Sequence, residues 1–532
     1  MKKTTKFLMI GLSLILVFSM FTACGNGDDG GTTPGNDDGA ATGDDRLRGP
    51  AVNRDTIIIA TDAEHDTFHA FTNSFVATIN MNVLTYDALL CADPDDFTVR
   101  PRLVREWENI EDTVWQFTLA EGIRFHNGEI MTTADVKASI EYAMTFPAMA
   151  LQMSLVEEVV IIDELTFQII TPDPTFLLPE FMATHAFMVK PKSLIEAGHD
   201  FDTDPIGSGP FRLIQHIPGE RVIFEAFEYY FYEARRPSIR HMEWVVIPEE
   251  ATRTIALETG EVDVLQVVSA SDMARLQANP NVTVHTKPGT TFLFLSLNIE
   301  KTHAYLHLPE VRQAIDMALW KEDNMQAVVF GHGLVTYHQV HEVLPGTSSR
   351  YINHFDPDYA RGLLESVGLQ PGDVYFKINV ANDPGRRNAE IMQAALREIG
   401  INVSIEQTDL PTFMAYTTGP DYYASISSYG VSNSVMFLFN AFHSSQIDAL
   451  NKSRLSDPFL DDLIERALRT ADRDYAMALA EEASAWLNRY TMQVPLWLID
   501  VRRATKADLV LPEIARDRGV AGGSWFETAY WR

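Results

Sequence analysis

The chain has 532 residues, and 46% of them are hydrophobic, so it can build more than one core and is not a disordered protein. Its formal net charge is −31, from 73 acidic and 42 basic residues. A surface this acidic would repel a phosphate backbone, which argues against nucleic acid as a partner.

The first 23 residues are typical of an export signal. Lysines at positions 2, 3 and 6 precede an uncharged apolar run, Phe7 to Ala23, that ends at Cys24. The order "FTAC" resembles a bacterial lipobox, which implies that Cys24 is lipidated and becomes the mature N-terminus; the alternative is an ordinary cleaved signal. If Cys24 carries lipid, Cys91 has no disulfide partner. Residues 24–53 are rich in Gly and Asp and predict a flexible tether.

From residue 55 onwards, predicted strands and helices alternate, which indicates an α/β fold. "DTIIIATD" (55–62) predicts a buried strand. "HMEWVVIPEEATRTIALETGEVDVL" (241–265) predicts a strand, a helix ended by Gly260, and a strand, and "LPEVRQAIDMALW" (308–320) predicts a helix with Pro309 in its first turn. "NAEIMQAALREIGINVSIEQT" (388–408) and "YAMALAEEASAWLNRYTMQVPLWLI" (475–499) each predict a helix followed by a strand.

The fragment "GIRFHNGEIMTTADVKASIEYAM" (122–144) contains His126 among acidic residues, as an acid/base or metal site would. The same letters also predict the end of a strand, a turn at Asn127-Gly128, and a helix capped by Thr132 or Thr133 with Asp135 in its first turn. The predicted buried stripe of that helix consists of Val136, Ile140, Ala143 and Met144. Because each polar residue has a structural task, we favour the structural interpretation over catalysis.

Four motifs in order resemble the extracytoplasmic solute-binding proteins of family 5, the peptide- and nickel-type receptors of ABC importers. The first spans residues 82–139, with matches at Pro101, Leu103, Trp107, Phe125, His126, Gly128, Thr133, Ala134, Asp135 and Val136. "PIGSGPFRL" (205–213) is similar to the family's G-T-G-P-Y/F. "LNIEKTHAYLHLPEVRQAIDMALWKEDNMQAVVFGHG" (297–333) and "PDYARGLLESVGL" (357–369) resemble two further family motifs.

The resemblance implies a two-lobed, class II type periplasmic-binding-protein-like clamp with an extra inserted domain. Lobe I would comprise residues 54–84, 205–298 and 497–532, with the inserted domain at 85–204 and lobe II at 299–496. A ligand would close the lobes, and the closed form would dock on a membrane permease driven by separate ATPases. The chain itself has no G-x-x-x-x-G-K-S/T phosphate-binding loop.

The resemblance also implies where a ligand would bind. Phe75 and Val76 fall where the family presents strand-like backbone to an extended ligand. Ser428, Tyr429, Gly430 and Ser432 fall on the family's cleft-facing loop. Ser432 stands where peptide binders carry an aspartate that holds the ligand's ammonium group, and Asp421 is an alternative carboxylate for that task.

The expected protein is a monomeric, lipid-anchored, extracytoplasmic receptor for a peptide or similar extended solute, without catalytic residues, resident metal or cofactor. One alternative is a metal-chelate or haem binder that uses the histidines of "GHGLVTYHQVH", His332, His338 and His341; His303 and His307 are a second, weaker candidate pair. The aromatic run "FEYYFYE" (227–233) is either a ligand platform or core packing. A hydrolase is the remaining alternative, but G-x-S-x-G and H-E-x-x-H are both absent.

Overall fold

The computed structural model describes residues 55–65, 67–73, 76–430, 432–512, 514 and 526–532, with the side chain of Val76 excepted. The predicted signal, Cys24 and the tether lie outside these residues. The strands are β1 Thr56–Thr61, β2 Leu90–Ala92, β3 Val99–Pro101, β4 Val104–Glu111, β5 Val114–Leu119, β6 Glu158–Ile161, β7 Thr166–Ile170, β8 Phe211–Ile217, β9 Arg221–Ala226, β10 His241–Val246, β11 Val264–Leu265, β12 Val282–Leu297, β13 Gly333–Val335, β14 Tyr375–Val380, β15 Asn402–Gln407, β16 Ala424–Gly430, β17 Gln493–Lys506, β18 Leu509–Val510 and β19 Tyr530–Trp531.

The helices interleave with the strands along the whole chain. They are α1 Val76–Thr85, α2 Thr133–Ala143, α3 Ala150–Met153, α4 Leu177–Met182, α5 Lys192–Glu196, α6 Glu250–Thr259, α7 Met273–Gln277, α8 Pro309–Met317, α9 Lys321–Val329, α10 Pro357–Ser366, α11 Asp383–Glu398, α12 Leu410–Thr418, α13 Ser434–Phe442, α14 Pro458–Leu468 and α15 Arg473–Tyr490. The α/β prediction is therefore confirmed. Among the residues described, no helix is both long and apolar enough to cross a bilayer.

The helix ends follow the local signals in the sequence. Gly260 and Gly400 have φ values of 82° and 86°, a left-handed conformation that ends a helix without the steric cost of a Cβ atom. Pro309 is the first residue of α8, where its missing N–H costs nothing. These predicted boundaries are confirmed.

One large sheet runs through most of the molecule, in the order β15-β14-β16-β12-β17-β11-β1-β10-β9-β8, with β13 also paired to β17. Strands β12 and β17 are 16 and 14 residues long and pair with each other along most of their length. We call this antiparallel pair the ribbon. It joins β14, β15 and β16 on one side to β11, β1 and β10 on the other, so it connects the two predicted lobes.

A second, four-stranded sheet in the order β4-β5-β7-β6 lies within residues 85–204. Its apolar core includes Phe117, Phe125 and Phe167, buried together with Ile140 of α2, and α1 contributes Ile79 and Val83 to the same core. A separate sheet is compatible with the predicted inserted domain, whose boundaries stay a prediction.

The fragment at 122–144 has a structural role. Asp135 accepts a hydrogen bond from the backbone N–H of Thr132 (2.8 Å), the reciprocal bond of a capping box, and Gly128 has φ 92° in the predicted turn. The imidazole of His126 lies 2.9 Å, through Nε2, from the carbonyl of Gly209. Met144 is 41% exposed, so its predicted burial is wrong: as the C-cap residue it leaves the buried stripe. The predicted strand at 123–125 is only an isolated bridge.

The glycines of "GSG" (207–209) allow two backbone segments to cross closely. A Cβ atom on Gly209 would lie 2.5 Å from the carbonyl oxygen of Leu84, at the end of α1. Gly209 N–H donates to the Thr85 carbonyl (3.0 Å), and His126 N–H donates to the Gly207 carbonyl (2.8 Å). Two of the motifs found in the sequence therefore pack against each other and against α1.

A buried charge cluster ties the C-terminal segment to the rest of the molecule. Arg102 contacts the carboxylates of Asp87 (2.7 Å) and Glu527 (3.2 Å), whose side chains are fully buried. Arg235 also contacts Glu527 (2.5 Å), and Tyr230 O–H donates to Asp87 (3.2 Å). Within the aromatic run 227–233, Tyr230 is thus core packing.

Candidate ligand-binding cleft

The carboxyl ends of the predicted lobe II strands meet the ribbon at one irregular segment. Strands β14, β15 and β16 are parallel, and β16 ends at Gly430, opposite Thr291 of β12. The pairing of β12 with β17 shifts register between Pro288 and Phe292. The carboxyl edge of this part of the sheet therefore lies at the register shift.

The carboxyl end of the predicted lobe I sheet approaches the same segment from the other side. Strand β11 is parallel to β1 and ends at Leu265, opposite Ala504 of β17. Beyond it, the Val268 N–H donates to the carbonyl of Arg502 (3.1 Å). In open α/β sheets, ligands bind outside the carboxyl ends of the strands. The candidate cleft accordingly lies between these two edges, beside residues 288–292 and 498–503.

The four residues predicted on the cleft-facing loop divide into two pairs. Ser428 and Tyr429 are buried within β16, 5% and 7% exposed. Tyr429 donates its hydroxyl to the Leu450 carbonyl, and its ring packs 5.1 Å from that of Phe294. Gly430 ends the strand, and the side chain of Ser432 is exposed just beyond it. In this conformation Tyr429 packs in the core, whereas Gly430 and Ser432 stand at the carboxyl edge.

The predicted strand-like backbone at Phe75 and Val76 is wrong at Val76, which is the first residue of α1. Phe75 lies outside the described residues. The local letters "FVATIN" are β-branched and apolar, which favours a strand, but helix α1 packs its apolar side into the core, as the burial of Ile79 and Val83 shows. Packing against the core therefore stabilises a helix here, although the local sequence favours a strand.

Asp421 cannot replace the missing aspartate at Ser432. It precedes β16, whereas Ser432 follows it, and a strand of seven residues separates its two ends by roughly 20 Å. The residue after Ser432 does contact a carboxylate, that of Glu180 in α4, which accepts a hydrogen bond from the side chain of Asn433 and lies 3.3 Å from Arg473. Burial raises the pKa of Glu180, and Arg473 opposes that shift.

No sequence signal pointed to Glu180, because Asn433 is 253 residues away along the chain. Asn433 precedes an apolar helix and is a residue type that favours the N-cap position. Its side chain accepts a hydrogen bond from the Met436 N–H (2.9 Å). The contact matters because Glu180 belongs to the predicted inserted domain and Asn433 to predicted lobe II. Phe176 and Leu177, next to it, are buried in an apolar core with residues of lobe II such as Leu438.

Cationic side chains concentrate on the ribbon beside the cleft. Arg503 donates from Nε to Oε1 of Gln266 (3.0 Å), and Arg502 donates from Nε to the Val268 carbonyl (3.0 Å). Lys287 forms an ion pair with Asp95. Burial lowers the pKa of Arg502. These groups can hold an anionic part of a ligand. The sequence analysis did not single them out, although two adjacent arginines within an apolar strand could have indicated them.

The candidate histidines lie apart from one another. His341 is fully buried and packs near Phe292 (ring centroids 5.9 Å), whereas Nε2 of His338 lies 3.1 Å from the hydroxyl of Ser349. Burial lowers the pKa of His332. His303 pairs with the hydroxyl of Tyr423 (2.6 Å). In the described part of the chain, no group of three or more His, Cys, Asp or Glu side chains is placed to hold a metal ion.

Comparison with known proteins agrees with this geometry. Among proteins of known function, the chain is 25% identical over 430 residues to the dipeptide-binding protein of Escherichia coli K12, covering 72% of this chain and 78% of that protein. It is 24% identical over 444 residues to haem-binding protein A of Haemophilus influenzae, covering 75% and 78% of the two chains.

Solved structures share the fold over almost the whole chain. HbpA2 from Haemophilus parasuis superposes with a TM-score of 0.80 at 21% identity, covering 90% of this chain and all of that one. A dipeptide-binding protein from Pseudoalteromonas sp. SM9913, solved with Met-Leu, gives a TM-score of 0.72 at 20% identity, with coverage of 90% and 100%. The predicted two-lobed fold is thereby confirmed. Residues 98–448 match the model of the bacterial extracellular solute-binding proteins, family 5, middle region, and the chain belongs to that family.

Proposed function

We propose that this protein is the substrate-binding component of an ABC importer and that it captures a peptide or a similar extended solute by lobe closure. The observation that carries the proposal is the ribbon. Its two long strands join two parts of the large sheet, and the carboxyl ends of the strands in both parts approach the register shift between Pro288 and Phe292. A joint of this kind can bend while each lobe stays rigid, and a ligand that contacts both edges favours the closed arrangement.

The proposal extends to location and partners. Cys24 carries a lipid that anchors a monomer to the outer face of the cell membrane, and the ligand-loaded form docks on a permease served by separate ATPases. The protein performs no chemistry on its ligand. Support comes from the family's extracellular assignment, from relatives that are solute-binding proteins, and from the leader that ends in "FTAC".

Ligand capture followed by mass spectrometry tests the proposal. The purified protein is incubated with a mixed peptide digest, separated from unbound material, denatured, and the released compounds are weighed. We expect enrichment of peptides that are recovered with unchanged mass. Parallel incubations with a nickel–histidine chelate and with haem test the alternative of a metal-chelate or haem binder. Binding of those compounds without any peptide would overturn the peptide assignment, and shortened peptides would indicate a hydrolase.

A further inference from the structure

A cavity of about 450 Å³ lies at the outer edge of the lobe I sheet. Its lining residues are His65, Thr67, Phe68, Asp202, Thr203, Asp204, Leu213, Ile214, Gln215 and His216. Strand β8 is the last strand of the large sheet, at the opposite end from β14, β15 and β16. Since none of these lining residues belongs to 299–496, closure of the lobes does not build this cavity, and it is separate from the cleft.

One wall of the cavity is aromatic. The rings of His65 and Phe68 are 4.2 Å apart, and those of His65 and His216 are 4.8 Å apart. His65 is 8% exposed, so most of its ring is covered by its neighbours. His216 is held in place by Glu64 (3.1 Å). The rings of His65, Phe68 and His216 therefore give the cavity an aromatic lining against which an apolar group can pack.

An adjoining part of the lining is acidic and hydroxylic. Asp202 is fixed by the hydroxyl of Thr67 and by the backbone N–H of Phe68 (3.0 Å), so one carboxylate oxygen has two donors. Asp204 lies beside it with a 66% exposed side chain, and Ile214 at the rim is 53% exposed. Among the described lining side chains there is no lysine or arginine.

We infer that this cavity binds a small organic cation, an ammonium group that carries an aromatic or apolar body. The size falls within the range of small-molecule sites, about 300–1,000 Å³. The rings of Phe68, His65 and His216 would cover the apolar body, and Asp202 and Asp204 would hold the ammonium group. The carboxylates also disfavour anions, so the site has a defined charge preference.

A matched set of three probes tests the charge preference: phenethylamine, its uncharged N-acetyl derivative, and phenylacetate, an anion. Binding to the purified protein is measured by calorimetry or ligand-observed NMR. We expect phenethylamine to bind at least about tenfold more tightly than the other two. Equal binding of phenethylamine and its N-acetyl derivative, or no binding of phenethylamine, would overturn the inference.

Three variants locate the site. Asp204→Asn removes an exposed charge without disturbing the core, and Asp202→Asn keeps an oxygen for the Thr67 and Phe68 donors; each should weaken phenethylamine binding about tenfold. Asp112→Asn, in the turn between β4 and β5, is the matched control and should leave binding unchanged. If Asp202→Asn and Asp204→Asn both bind like the wild type, the cavity is not the site. Ser432→Asp should not affect phenethylamine, which separates this inference from the proposed function.

Discussion

At the scale of single residues, Arg102 has the largest predicted effect on stability. It is the shared partner of Asp87 and Glu527, and both carboxylate side chains are fully buried. Removal of one partner from such a cluster leaves uncompensated charge in a medium of low dielectric constant. Burial also raises the pKa of Asp87, and Arg102 acts against that shift.

Arg102→Met should therefore lower the free energy of unfolding by about 3–5 kcal/mol. Arg105→Met is the matched control, because Arg105 is 49% exposed and lies 3.8 Å from the exposed Glu121. An exposed pair contributes at most about 1 kcal/mol. Urea denaturation measures both variants, and equal losses would contradict the role assigned to the cluster.

His126 predicts how stability depends on pH. Its Nε2 lies 2.9 Å from the carbonyl of Gly209, and its Nδ1 can accept from the Gly207 N–H (3.4 Å), an arrangement that needs the neutral ring. Burial lowers the pKa of His126 from 6.5 to about 4. Between those values the unfolded chain binds a proton that the folded chain does not bind. This stabilisation is complete above pH 6.5 and is lost as the pH falls towards 4.

Unfolding at pH 7 and at pH 4.5 should show this loss directly. His126→Asn cannot titrate, so its loss between the two pH values should be about 2–3 kcal/mol smaller than that of the wild type. The comparison is within each protein, so a lower stability of the variant at pH 7 does not affect it. The same pH dependence in both proteins would show that the His126 ring is not kept neutral by the fold.

Ser432 carries our prediction about which ligands the cleft favours. Its neighbour Asn433 contacts Glu180, but that carboxylate already lies 3.3 Å from Arg473. A free α-ammonium group bound beside Ser432 would therefore lose water without gaining an unpaired counter-charge. We expect the wild type to discriminate weakly between a free-amine peptide and its N-acetylated twin.

Ser432→Asp should strengthen binding of the free-amine peptide alone, by roughly one to two orders of magnitude. Ser456→Asp adds the same charge at an exposed site beside Asp457, the N-cap of α14, and serves as the control. Calorimetry on the peptide pair decides the matter. If the wild type already prefers the free amine a hundredfold, another carboxylate in the cleft holds the ammonium group.

At the scale of elements, the close crossing at Gly209 couples α1 to the 122–128 turn. A Cβ atom there would lie 2.5 Å from Leu84 O and 2.6 Å from the carbonyl carbon of Thr85, both in backbone that cannot rotate away. Gly209→Ala should lower the free energy of unfolding by about 1–3 kcal/mol or more, because α1 must shift.

Gly362→Ala provides the opposite case. Gly362 lies within α10, and a Cβ atom there would meet nothing within 4 Å. Alanine should stabilise this helix by about 0.5–1 kcal/mol. Thermal melting of the two variants tests the steric explanation, which fails if Gly209→Ala melts at the wild-type temperature.

Local elements could be predicted from the sequence and non-local ones could not. The helix ends at Gly260 and Gly400 and the capping box at Thr132 depend on residues a few positions apart, so the letters alone specify them. The helical state of Val76, by contrast, depends on packing against a core assembled from distant segments. The Glu180–Asn433 contact has the same non-local origin, which is why only the Ser432 end of the cleft was predicted.

At the scale of the whole molecule, the ribbon joins the two lobes. The predicted inserted domain contacts predicted lobe II through Glu180, and its residues Phe97 and Phe176 are buried in a core with residues of that lobe. Lys287 on the ribbon pairs with Asp95 of the same region. Lys287 directly precedes the register shift between Pro288 and Phe292. Motion of the lobes about the ribbon must therefore move Phe97 and Phe176 relative to lobe II or carry them along with it.

Small-angle X-ray scattering with and without a captured peptide tests lobe closure, the central claim, most directly. A ligand that contacts both carboxyl edges should favour the closed arrangement, so the radius of gyration should decrease on binding. The melting temperature should rise in the same samples, because the ligand binds only the folded protein. A peptide that binds tightly and raises the melting temperature while leaving the scattering curve unchanged would contradict capture by closure of the lobes.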